Sequence, residues 1–224
     1  MHLFDASRHF YGGNAIVGGH LPLAAGMAYA QNWADDDRLT ACFFGEGAVA
    51  EGEFHETLNL ATLWNLPVLF CCENNQHAMG TSLESSESET NLALKASAYG
   101  LAAWDVDGMD VEAVRTASVR AVEMIRAGAG PVFIEFQTYR FRAHSMFDPD
   151  RYRPKEEVEW WRTRDPIELW ARRLRENGEL DDEGFDGLWA AARAEIDDAV
   201  AFATDAAIEP ISELHRHVYR REAQ

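Results

Sequence analysis

The feature that most limits how this chain can fold is an alternation of short apolar runs with longer, helix-patterned segments. Leu39-Thr40-Ala41-Cys42-Phe43-Phe44 is an apolar run that ends at Gly45-Glu46-Gly47, and Pro67 to Cys72 is a second, ended by Asn74-Asn75. Runs this short, bounded by turn residues, read as buried strands. Between them, Ala48 to Trp64 places Phe54, Leu58 and Ala61 at helical spacing, with acids crowding the first half, where a helix dipole favours them. Two further helix–strand alternations follow, including an amphipathic helix over Val111 to Arg126, stopped by Gly128-Ala129-Gly130, and a strand over Pro131 to Gln137. Upstream, Gly12-Gly13 opens a turn, and the small-residue segment His20 to Trp33 reads as a helix packed closely on its neighbours. Strands separated by helices imply an α/β fold, a parallel sheet with helices on both faces.

After the last strand the pattern changes. From Arg142 to Pro154 the chain is polar, aperiodic and interrupted by Pro149 and Pro154, which predicts a long surface loop. Beyond it, helices are expected over Glu156 to Asn177 and Asp182 to Thr204, with a short one after Pro210. The expected organisation is an α/β core over residues 1–154 and a helical C-terminal extension of the same domain over 155–224.

Composition narrows the function classes. A chain of 224 residues suits one large domain with a real core. No stretch is long and apolar enough to cross a bilayer, and Met1-His2-Leu3-Phe4-Asp5 lacks the basic start and apolar run of a signal peptide. A net charge of −18 argues against nucleic acid or an anionic membrane as the main partner. Cys42, Cys71 and Cys72 sit in apolar runs without metal-ligand spacing and read as reduced, buried thiols of a cytoplasmic protein.

The chemistry concentrates at the two strand ends. Two glycines around an acid let the backbone turn sharply and approach a ligand, and the helix that follows points free N–H groups back at the turn, which suits phosphate. Glu46 would repel phosphate unless a cation stood between them, and magnesium binds carboxylate and phosphate oxygens together. Taken alone, a Gly-acid-Gly turn is commonly plain structure. Asn74-Asn75 changes the weighing: it closes the next strand, so both turns open on the same carboxyl edge of the sheet, where open α/β sheets bind ligands. An asparagine oxygen is a hard neutral donor suited to magnesium.

These residues, with GGNAIVGGHLPLAAGMAYA, GEGAVAEGEFHETLNLATLWNLPVLFCCENN, MGTS and YRFRAHSMFDP, resemble the alpha subunits of the thiamine-diphosphate-dependent decarboxylating component of 2-oxo acid dehydrogenase complexes. The resemblance runs over essentially the whole chain. It implies a three-layer parallel sheet of the thiamine-diphosphate-binding fold. It implies magnesium held by Glu46, the Asn75 side chain and the backbone carbonyl of His77. It implies backbone contacts from Gly47 and Ala48 to the diphosphate and from Ala15 and Val17 to the aminopyrimidine ring, with Met79 as the wedge that bends the cofactor. Arg140 would neutralise diphosphate charge, and His144 would face the substrate. The implied partners are a beta subunit, in an alpha-two beta-two heterotetramer, and a lipoyl acyltransferase core. Pyruvate is the implied substrate, with acetoin and branched-chain 2-oxo acids as alternatives. Two departures stand out: the acid is Glu46 where the wider motif has aspartate, and the family's usual long segment before the position of Met1, with a Tyr-Arg pair, has no counterpart here. A non-catalytic scaffold subunit is the alternative of another class. His20 and His55 read as structural, and His215 and His217, two apart on an expected helix, point apart and do not form a metal pair.

Overall fold

The structure, a computed structural model, describes residues 2–34, 36–216 and 218; His217 and the last part of the expected extension, Tyr219 to Gln224, lie outside the described residues. Along the chain run α1 (Leu21–Ala34), β1 (Thr40–Gly45), α2 (Gly52–Leu63), β2 (Val68–Asn74), β3 (His77–Ala78), β4 (Thr81–Ser82), α3 (Leu83–Ser86), α4 (Leu92–Ser97), β5 (Ala102–Asp107), α5 (Val111–Arg126), β6 (Val132–Gln137), α6 (Lys155–Arg162), α7 (Pro166–Glu176) and α8 (Asp182–Asp205). Four strands form one parallel sheet in the order β1-β2-β6-β5, and β3 and β4 make a small antiparallel hairpin beside it.

Side chains alternate across the sheet with a period of two, and each set finds its own layer. Cys42, Phe44, Val68, Phe70, Cys72 and Phe133 pack against Leu21 and Ala28 of α1, Phe54, Leu58 and Ala61 of α2, and Leu92 and Ala96 of α4. Leu69, Cys71, Val132, Ile134 and Phe136 point the other way and meet Ala121 and Ile125 of α5. The three layers and the parallel sheet are as the alternation implied. Phe44 lies at the centre of an aromatic cluster with Phe54, Phe70 and Phe133, whose ring centroids are 6.2–6.5 Å from its own. Phe54 and Leu58 are wholly buried, so truncating either to alanine would cost about 2–5 kcal/mol. The small residues of α1 work inward: Ala24, Ala25 and Ala28 are buried, whereas Gly26 faces open space. All three cysteines are free and buried.

Four elements differ from expectation. β1, read as a buried strand, lies at the sheet edge, and its Ala41 and Phe43 are exposed on the face away from the core. The helix after β1 begins at Gly52; Glu46–Ala50 form a 3-10 turn first, and Glu51 is extended (φ −82°, ψ 147°). The expected helix over 156–177 is two helices, because Pro166 cannot continue the hydrogen-bond ladder of α6. β5 carries Asp105 and Asp107 and is half-exposed at the sheet edge, so it lacks the apolar run that marks the inner strands.

The chain divides into two compact units, Met1–Trp170 and Ala171–Gln224. The expected boundary at 154/155 falls at the start of α6, inside the first unit. In the second unit Asp181 caps α8 by accepting from the Gly184 N–H (2.7 Å), and Arg175 lies over the Phe185 ring, 4.6 Å from its centroid. Among the described residues, no helix is long and apolar enough to cross a membrane.

Candidate functional site

β1 and β2 are parallel neighbours in a register that pairs Gly45 with Glu73, so the turns that follow them emerge side by side at the carboxyl edge of the sheet. That edge places Glu46 against Asn75. The Glu46 carboxylate, 2% exposed, accepts from the Asn75 backbone N–H (3.1 Å) and side-chain Nδ2 (3.3 Å) at the same oxygen, Oε2. Burial is the largest influence on this acid and pushes its carboxyl above its ordinary value, against the pull of its own N–H, the Asn75 N–H and His77. Among the described residues no lysine or arginine forms an ion pair with Glu46.

The rest of the turn is shaped by left-handed backbone at Gln76 (φ 70°) and Met79 (φ 55°), the second closing the β3–β4 hairpin. Gly47 is required by proximity: a Cβ there would lie 2.6 Å from the Ala78 Cβ. The turn after β1 and the hairpin after β2 are therefore pressed together, with room for a ligand only on their outer side.

That side is a cleft of about 290 Å³. Every residue given a cofactor, metal or substrate role from the sequence lines it: Glu46, Gly47 and Ala48 from the turn after β1; Asn75, His77 and Met79 from the second turn and its hairpin; Ala15 and Val17 from the segment before α1; and Arg140 and His144 from the loop after β6. Among the described residues Glu46 is the one carboxylate in the lining, which also holds Arg140, Arg142 and Arg153, in a chain whose net charge is −18. A basic cleft with a single buried acid at its base suits an anionic ligand bridged to that acid by a cation. Among the described residues no group of three or more His, Cys, Asp or Glu side chains could hold a metal. A cation here would thus draw on one carboxylate, an amide oxygen, backbone and the ligand's own oxygens, as magnesium does. Asn75 now turns Nδ2 toward Glu46, and a cation would be met by Oδ1 after rotation of the amide.

The loop carrying Arg140 and His144 has no helix or strand, as its composition predicts, but it is internally tied. Arg153, 7% exposed, donates to both oxygens of Asp150 (2.7 and 2.9 Å) and to the Arg140 carbonyl (2.6 Å), and lies over the Tyr139 ring. Asp148 accepts from the His144 N–H (3.0 Å) and the Tyr152 hydroxyl (2.9 Å), and Arg140 donates to the His144 carbonyl (3.0 Å). These bonds hold both acids below their ordinary values, Asp148 chiefly through the Asp150 N–H and Asp150 chiefly through Arg153.

Sequence reasoning passed over several of these residues. Arg153 and Tyr152 sit in an unpatterned polar segment, and nothing local marks the arginine as buried. His20, read as structural, lines the cleft while its Nε2 lies 2.8 Å from the Phe43 carbonyl. Glu135 gave no signal beyond being an acid within an apolar run, yet it is wholly buried and bonded to Asn74.

The dehydrogenase E1 component family matches this chain over residues 1–212. The chain is similar to the pyruvate dehydrogenase E1 component subunit alpha of Rhizobium meliloti (strain 1021), with 39% identity over 219 residues that cover 97% of this chain and 63% of the relative. The Porphyra purpurea protein of the same name is 39% identical over 226 residues, covering 98% of this chain and 66% of the relative. For that of Zymomonas mobilis subsp. mobilis the identity is 40% over 219 residues, 97% of this chain and 62% of the relative. The chain thus spans 62–66% of the length of these curated relatives.

Proposed function

Because this chain belongs to the dehydrogenase E1 component family, we propose that it is the cofactor-binding alpha subunit of a pyruvate dehydrogenase, acting with thiamine diphosphate and magnesium. The observation that carries the proposal is Glu46, a buried carboxylate without an ion pair among the described residues, joined to Asn75 in a cleft whose lining also includes Arg140, Arg142 and Arg153. Both the relatives' names and the donor set favour this reading over a scaffold role.

When bound, thiamine diphosphate supplies the carbon nucleophile and the electron sink for loss of carbon dioxide from pyruvate. The chain's own residues bind and orient. Glu46, the Asn75 side-chain oxygen and the His77 carbonyl would hold magnesium. The backbone of Gly47 and Ala48 offers N–H groups to the diphosphate, and Arg140 offsets its remaining charge. Ala15 and Val17 meet the aminopyrimidine through their backbone, and Met79 supports the ring from the hairpin tip. His144 faces the substrate from the loop, where its backbone is fixed on both sides by Asp148 and Arg140. The working unit in this reading is a cytoplasmic alpha-two beta-two heterotetramer. In this reading the beta subunit would supply the glutamate beside the aminopyrimidine, and a lipoyl arm on the acyltransferase core would be the acceptor of the acyl group.

The test is coexpression with the beta subunit and assay of carbon dioxide release from pyruvate, with acetoin and a branched-chain 2-oxo acid as competitors. Preferential turnover of pyruvate, lost in Glu46→Ala, is the expected result. Preference for either competitor moves the substrate assignment. Cofactor binding without any turnover favours a non-catalytic subunit.

A further inference from the structure

Glu135 sits in the middle of β6, on the sheet face that carries Phe133 and the larger apolar core, and is 0% exposed. A carboxylate is costly there unless every lone pair finds a partner. Its partners are three N–H donors from three parts of the chain. Asn74 Nδ2 (2.7 Å) and Gln137 Nε2 (2.8 Å) donate to Oε1, and the Ala93 backbone N–H (2.9 Å) donates to Oε2. An apolar residue would fill this strand position without that demand, so the acid is informative.

We infer that Glu135 is a positioning residue for the turn that carries Asn75 and His77, an inference that rests on reading those two as magnesium ligands. The bond from Asn74 Nδ2 fixes which way the Asn74 amide faces. With its nitrogen held by Glu135, Asn74 Oδ1 accepts from the Gln76 N–H at 2.9 Å. Gln76 occupies left-handed backbone, a conformation that L residues resist and that must be held from outside. It is held at two points: by Asn74 Oδ1 on its N–H, and by the Leu83 N–H, which donates to its carbonyl at 3.0 Å. Asn75 and His77 flank this residue. A loosened Gln76 would let both drift from Glu46, although neither touches Glu135. Asn74 is itself 1% exposed and does not line the cleft, so its side chain serves the turn and not the ligand.

The polarity of the Glu135–Asn74 pair allows a test that separates positioning from general damage to the core. Glu135→Gln sets an NH2 among N–H donors, and Asn74→Asp sets two carboxylates face to face. The double variant Asn74→Asp/Glu135→Gln keeps the net charge and reverses the pair: the amide introduced on β6 donates to one oxygen of the carboxylate introduced on β2, the other oxygen still accepts from the Gln76 N–H, and the half-buried Gln137, which donates to the same Glu135 oxygen, turns its amide to accept instead. Two readouts apply to the full chain assembled with its beta subunit: amide hydrogen exchange over residues 74–78 without cation, and Mn2+ binding followed by electron paramagnetic resonance with thiamine diphosphate present. Glu135→Gln should speed exchange in that segment and weaken Mn2+ binding on the order of 10–100-fold, as loss of groups that orient metal ligands does. The double variant should recover most of both. Unchanged exchange and affinity in Glu135→Gln would overturn the inference. So would a double variant no better than the worse single one, because the loss would then come from disrupted packing. Wild-type protein that takes up no Mn2+, with exchange still responding to Glu135→Gln, would sink the metal-site reading while leaving Glu135 as the anchor of the turn.

Discussion

Gly47→Ala probes the contact that sets the width of the cleft. A Cβ on Gly47 would lie 2.6 Å from the Ala78 Cβ. Carbon atoms pack at about 3.5–4.0 Å, so the turn after β1 and the hairpin after β2 must part by roughly 1 Å. Overpacking of this kind costs about 1–3 kcal/mol. Gly47 has no left-handed φ, so an alanine there suffers no backbone strain, and the loss of unfolded-state freedom returns about 0.4–1 kcal/mol. The expected net effect is destabilisation by about 1–2 kcal/mol, or about 2–8 °C in Tm at this size. Ala78→Gly removes the opposing methyl and alone should cost about 0.5–1 kcal/mol. Combined, the two changes should be less destabilising than their sum by about 1 kcal/mol or more, the signature of a direct contact. Urea unfolding of the four proteins measures this. Strict additivity, or a Gly47→Ala chain as stable as the parent, would refute the steric account of why a glycine follows Glu46.

Further expectations concern the loop, the thiols and the cleft acid. Arg153→Ala frees both Asp150 and the Arg140 carbonyl, so trypsin should cut residues 140–153 several-fold faster; an unchanged rate would show that the loop is held elsewhere. Asp148 and Asp150 have depressed values, so their contribution to loop order is full above the ordinary aspartate value and lost as pH falls through the lowered one; pepsin cleavage in the loop should rise only below about pH 3.8, and a rise already at pH 5 would contradict this. Burial pushes the Cys42 and Cys71 thiols up to about 12 and Cys72 well above its ordinary value, so the native chain at pH 8 should react with Ellman's reagent slowly and release its 3 thiols only in denaturant; a fast native thiol would show an opening the structure does not have. Glu46→Asp keeps the carboxylate and should retain part of the magnesium-dependent cofactor affinity that Glu46→Ala loses, as calorimetry would report.

What could be read from the sequence follows from what is local. The inner strands β2 and β6 announce themselves because both faces are buried and each is a short apolar run; β1 carries a similar run although it lies at the sheet edge with Ala41 and Phe43 exposed, and β5, with aspartates facing out at the other edge, does not. Gly45-Glu46-Gly47 and Asn74-Asn75 are legible because each is a turn signal closing a strand, and parallel order then puts them on one edge. The resemblance added Ala15, Val17, Met79, Arg140 and His144, all of which line the cleft. Arg153 and Glu135 were out of reach for a common reason. Each is a charged residue whose burial depends on partners brought in by the fold, Asp150 and the Arg140 carbonyl for one, Asn74, Gln137 and Ala93 for the other. The 3-10 turn ahead of α2 was hidden as well, since its residues are compatible with helix.

The most direct test of the account is calorimetric titration of thiamine diphosphate into the chain assembled with its beta subunit, with magnesium and then with a chelator. The account predicts saturable binding with magnesium that disappears with the chelator and in Glu46→Ala, because a buried carboxylate and a diphosphate repel unless a divalent cation joins them. Equal affinity with and without the cation, or binding untouched by Glu46→Ala, would contradict it.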